Sequence, residues 1–73
     1  MNEQSRQARA EVVKALQNFN RLAGDLVLAQ WGDAPADELR SLEDAARAAS
    51  AEASAAFARL VVARYNESEN HSG

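Results

Sequence analysis

Cysteine is absent from this 73-residue chain, and histidine, proline and tryptophan occur once each. Without cysteine there is no disulfide to staple a small core, and one histidine cannot supply a zinc finger or an iron–sulfur site. No cofactor or metal is therefore expected. Aromatic residues are only 5% (Phe19, Trp31, Phe57 and Tyr65), so much of the 47% hydrophobic fraction is alanine, which buries little area per residue. Long apolar runs are also missing. The two strongest, Leu26–Ala29 and Leu60–Ala63, fall far short of the ~20 residues that span a bilayer. Residues 1–11 contain no apolar stretch of the kind a secretory signal needs. The expected setting is cytoplasmic, away from membranes, although secretion without a cleaved signal is compatible with the sequence. Asn66 and Asn70 open Asn-x-Ser triplets, which in that setting are chance features of a polar tail. Nor is there an excess of positive charge: 8 Lys and Arg face 11 Asp and Glu, a net −3. That balance argues against nucleic acid or an anionic membrane as an electrostatic partner.

What the chain does contain is helix-forming sequence with one interruption. Up to Ala29 there is no proline and a single glycine, Gly24. Trp31-Gly32-Asp33-Ala34-Pro35 then combines stop and start signals. Gly32 suits the left-handed position past a helix end, Asp33 or Ala34 a new N-cap, and Pro35 the first or second helical position. Asp37, Glu38, Glu43 and Asp44 follow, near the end of the helix dipole that favours negative charge. Nothing breaks the pattern from Pro35 to about Glu67. These signals predict a single all-α domain over 1–73, an antiparallel helical hairpin. Helix 1 is expected at about 3–30, a turn at 31–34, helix 2 at about 35–67, and a polar tail over 68–73.

The apolar spacing predicts which faces meet. Helix 2 places Leu39, Leu42, Ala46, Ala49, Ala53, Ala56, Leu60 and Ala63 at alternating steps of three and four, a heptad seam four repeats long. In helix 1, Ala8, Val12, Leu16, Phe19, Ala23 and Leu26 form the expected seam, flanked by Val13, Ala15, Leu22 and Val27. The central alanines of helix 2 should face Val12, Leu16 and Phe19, large against small. The apolar arc of helix 1 is about 180° wide, more than one neighbour covers. Residues 55–63 of helix 2 are apolar nearly all round, with Arg59 the one charge. A fold-back at 32–35 sets Phe57, Leu60, Val61, Val62 and Tyr65 opposite the polar residues 1–10. Both surpluses call for additional helices. The expectation is pairing into a four-helix bundle, through an interface of Phe57, Leu60, Val61, Val62, Tyr65, Val13, Leu22 and Val27, with self or a helical protein as partner.

Other functional patterns are weaker. A two-helix hairpin has no cleft to shift catalytic pKa values, and no seam carries the inward carboxylates and Glu-x-x-His of a di-metal bundle; His71 lies in the tail. Neither enzymatic activity nor a small-molecule substrate is expected. Arg6, Lys14 and Arg21 form a basic stripe on helix 1 that could face nucleic acid, but Glu3, Glu11 and Asp25 share the helix and no aromatic stands ready to stack on a base. Trp31 reads as a plug for the loop end, and Tyr65 as an amphipathic cap at the open end.

Two family resemblances rest on short stretches. Two equal helices with a large/small seam, together with the ending Ala63-Arg64-Tyr65-Asn66-Glu67-Ser68-Glu69-Asn70, resemble the Rop family of plasmid copy-number regulators. That resemblance implies a homodimeric four-helix bundle that binds RNA through helix 1. Trp31-Gly32-Asp33, with Asp33 in a glycine position, and Tyr65-x-x-x-Glu69 are similar to the WXG-type (Trp-x-Gly) family of type VII secreted helical hairpins, implying a secreted bacterial protein. Helical-hairpin chaperones of bacterial export share the gross shape. The expectation common to all is a small helical protein, regulator or adaptor, that works by association.

Overall fold

The computed structural model describes residues 2–72, with side-chain surroundings through Glu69. The protein is an all-α antiparallel hairpin of α1 (Glu3–Trp31) and α2 (Ala36–Ser72), with no strand among the described residues. It measures 58 × 14 × 13 Å, and its radius of gyration of 16.7 Å far exceeds the ~11 Å of a globular chain this long. The rod has one seam and no enclosed centre.

Local hydrogen bonds set both ends of α1 and the start of α2. At the start of α1, the Asn2 Oδ1 accepts from the Ser5 N–H at 2.8 Å, satisfying one of the orphan first-turn donors. At its end, the Ala34 N–H donates to the Ala29 carbonyl at 3.0 Å and the Asp33 N–H to the Gln30 carbonyl at 3.4 Å, the paired bonds of a Schellman motif. The left-handed residue of that motif is Asp33, with φ 57°, whereas Gly32 has φ −86°. The expected assignment of the left-handed position to Gly32 is thus corrected by one residue. Asp is among the few side chains that tolerate this conformation. The N-cap expected at Asp33 or Ala34 also moves: the Pro35 carbonyl accepts the first α2 bond, from the Leu39 N–H at 3.0 Å. α2 then continues through Ser72, past the expected limit at Glu67. Residues 66–72 contain neither glycine nor proline to stop it.

Packing follows the heptad on α2 as expected. All eight seam residues from Leu39 to Ala63 are buried or half-buried. On α1 the seam is Ser5, Ala8, Val12, Ala15, Phe19, Leu22, Leu26 and Ala29, again at steps of three and four and again all buried or half-buried. Ala15 thus takes the place expected for Leu16, Leu22 and Ala23 are both half-buried, and Leu16 is exposed rather than packed against Ala46 and Ala49. The register differs too. Ser5 meets Glu67 and Glu11 meets Arg59, so Phe57 lies beside Val12 and Leu16 and not against residues 1–10. Val62 does lie beside Gln4, Gln7 and Ala8 as expected, and the fold-back at 32–35 falls where the sequence placed it, so the difference is confined to Phe57. The fully packed apolar residues are all alanine: Ala8, Ala15, Ala46, Ala49, Ala56 and Ala63. Small side chains let the backbones approach closely, but they remove little apolar area from water.

Candidate functional site

A two-helix seam leaves each helix with two flanks, and here the flanks differ chemically. One flank is charged. Arg59 reaches from α2 to Glu11 of α1 at 3.6 Å and to Glu52 at 3.2 Å, and Lys14 and Asn18 border the same groove. The opposite flank is a shallow groove lined by Val12, Leu16, Phe19, Ser50, Ala53, Ser54 and Phe57. Heptad spacing puts Val13, Ala23 and Val27 of α1 beside Leu16, and Val61 one turn beyond Phe57. Val13, Leu16, Val27, Phe57 and Val61 are each between 46% and 57% exposed. Five of the larger apolar side chains therefore stand half-wet on one flank, while Leu28, Trp31, Val62 and Tyr65 are exposed elsewhere.

The structure sorts the expected interface residues into three groups. Phe57 lines the apolar groove, and Val13, Val27 and Val61, each about half-exposed, fall on the same flank by their heptad positions. Leu22 and Leu60 are half-buried in the seam, where they hold the hairpin itself together. Val62 and Tyr65 go elsewhere: Val62 borders the charged flank beside Ala8, Glu11 and Arg59, and Tyr65 faces outward with its hydroxyl donating to Glu69 Oε1 at 3.0 Å. Leu16 was missed as a surface residue. Its signal was present in the sequence as a second stripe on α1, Val13, Leu16, Ala23 and Val27, stepping 3, 7 and 4.

Trp31 does not plug the loop end, since it is 85% exposed. Of the basic stripe, Arg6 lies 3.7 Å from Glu3, and Arg21 lies 3.9 Å from Asp25 and donates to Asn18 Oδ1 at 2.9 Å. Lys14 sits near Glu11 and Glu52 across the charged flank. Each of the three cations has acidic residues around it, which weakens any field they could present to a phosphate backbone.

The open end holds a polar contact across the seam that sequence reading did not anticipate. Ser5 is fully buried, and its hydroxyl donates to Glu67 Oε2 at 2.6 Å. This bond holds the Glu67 carboxyl below its ordinary value, with the Asn2 backbone contributing and partial burial opposing. Among the described residues no group of three or more His, Cys, Asp or Glu converges to hold a metal ion. His71 lies beyond the described side chains, as does Asn70. No helix among the described residues is long and apolar enough to cross a membrane.

No family model, curated protein or solved structure matches the chain at a significant level. The likenesses to the Rop and WXG-type families therefore stand on the quoted residues alone.

Proposed function

We propose that this protein acts by association, covering its apolar flank with two further helices to complete a four-helix bundle. It works as a homodimeric regulator or as an adaptor on helices of another protein, in the cytoplasm and without catalysis. One observation carries this reading: Val13, Leu16, Val27, Phe57 and Val61 are gathered half-exposed on one flank while the other flank is charged. Covering the half of each such side chain that is still exposed stabilises by roughly 0.7–1.5 kcal/mol, set against the cost of association. An RNA-binding role through Arg6, Lys14 and Arg21 has less support, because both arginines already sit beside carboxylates.

Adjacent valines provide the test. Val61 belongs to the apolar flank and Val62 to the charged one, yet the two are chemically identical and similarly exposed. Sedimentation at micromolar concentration should give about twice the 7.9 kDa chain mass. Val61→Asp should return the protein to a monomer, because it buries an unpaired charge, and Val62→Asp should leave the mass unchanged. A wild-type chain that sediments as a monomer throughout would remove the homodimer and leave the adaptor, and equal effects of the two substitutions would overturn the assignment of the apolar flank.

A further inference from the structure

We propose that the apolar flank is covered by a second copy of this chain, with α1 lying antiparallel on α1 of the second copy and the two crossing at Asn20. This rests on the association reading above and specifies its occupant and geometry.

The outer stripe of α1 reads Val13, Leu16, Asn20, Ala23, Val27 at steps of 3, 4, 3 and 4. Arg9 precedes it and Gln30 follows it. Read backwards, the order of polar and apolar positions is the same: polar, two apolar, Asn20, two apolar, polar. A two-fold interface requires this self-complementarity, since residue i must meet j while j meets i. Antiparallel pairing about Asn20 sets Val13 against Val27 of the second copy and Leu16 against its Ala23, large opposite small. Asn20 then faces its own copy. A carboxamide both donates and accepts, so two of them satisfy each other across a two-fold axis. A slip of one heptad would set each amide among apolar side chains, and a single polar position in an apolar stripe fixes register in this way.

The same rotation suits α2. It brings Ser50 and Ser54 of the two copies together near the axis, where small side chains allow close approach. It also lays Phe57 beside Arg47 of the second copy, whose guanidinium is already held by Glu43 at 2.6 Å. The other two-fold arrangement would set the hairpins parallel, with α1 facing α2 and Asn20 near Ser54 of the second copy.

The area agrees with a dimer. The accessible surface is 5436 Å², roughly 1,000 Å² above the ~4,400 Å² expected of a compact 7.9 kDa monomer. A standard interface covers about 800 Å² per partner, so the excess matches what one pairing removes.

The chain has no cysteine, so single substitutions report cleanly. Under mild oxidation, Asn20→Cys should form a disulfide-linked dimer as the major product. Val27→Cys alone should form little, but mixed with Val13→Cys it should give a heterodimer linked between the two positions. Helical content by circular dichroism checks that each variant folds. If the wild-type chain is a dimer, but Asn20→Cys stays unlinked while Asn20→Cys mixed with Ser54→Cys links, the parallel arrangement holds. The proposed crossing is then wrong, although the association reading stands. A chain that is monomeric by sedimentation overturns the pairing proposed here together with the homodimer, and leaves only the adaptor on another protein's helices.

Discussion

A single residue at the turn shows how finely local conformation divides neighbouring positions. Gly32 and Asp33 are adjacent, and only glycine adopts positive φ without a steric cost, yet the left-handed residue is Asp33. Asp33→Gly should therefore stabilise the protein by about 0.5–1 kcal/mol, less than the full left-handed penalty because aspartate tolerates it and glycine loosens the unfolded chain. Gly32→Ala should be nearly neutral, since its φ is ordinary and a Cβ would meet the Leu28 carbonyl oxygen at 3.4 Å, an acceptable contact. Thermal melts of the two variants check this pair, and a destabilised Asp33→Gly would contradict the assigned turn. The motif Trp31-Gly32-Asp33-Ala34-Pro35 located the turn correctly because glycine and proline both disfavour helix interior positions. It did not say which residue turns left, because three adjacent residues could each close the end and the hydrogen bonds to Ala29 and Gln30 decide among them.

At the scale of the element, α2 was legible in the sequence and α1 only in part. On α2 one heptad phase is apolar without a break from Leu39 to Ala63, and other phases become apolar only over 55–63. On α1 two phases compete: Val12, Ala15, Phe19 and Leu22 form one, and Val13, Leu16, Ala23 and Val27 the other. Composition cannot rank them, because both stripes are apolar. What ranks them is closeness of approach, which favours Ala15 over Leu16 opposite the alanines of α2. The buried Ser5 was hidden for another reason: a serine amid polar residues carries no periodic signal until Glu67 is seen across from it. Their bond gives the open end a pH dependence. The folded Glu67 carboxyl titrates below its ordinary 4.5, so its contribution is present in full above that value and is lost as the pH falls through the lower folded value. Ser5→Ala should lower stability at pH 7, because the Glu67 carboxylate loses the hydroxyl that donates to it. It should also flatten the loss of stability below pH 4.5. Urea unfolding at pH 7 and pH 3 measures both, and an acid dependence unchanged by Ser5→Ala would show that the contact does not act this way.

On the proposed pairing, folding of the whole molecule is linked to association. The seam buries alanines and little else completely, and no disulfide or metal supplements it among the described residues. Small cores of this kind rarely contribute more than about 3–5 kcal/mol, so a lone hairpin would be marginal. Pairing two rods along their apolar flanks converts half-wet valines, Leu16 and Phe57 into a second core layer. Stability then belongs to the dimer, and mass action makes it depend on protein concentration. Unfolding entropy near 2.1 cal/mol/K per residue gives about 0.3 kcal/mol/K for two chains of this length. A tenfold rise in concentration changes the association free energy by about 1.4 kcal/mol. Tm should therefore climb by about 4–5 °C per decade of concentration, with full loss of helix at each transition. Scanning calorimetry from micromolar to millimolar chain is the measurement. A sharp transition whose Tm stays constant across that range would mean that the alanine seam suffices by itself, and the apolar flank would then have no part in folding.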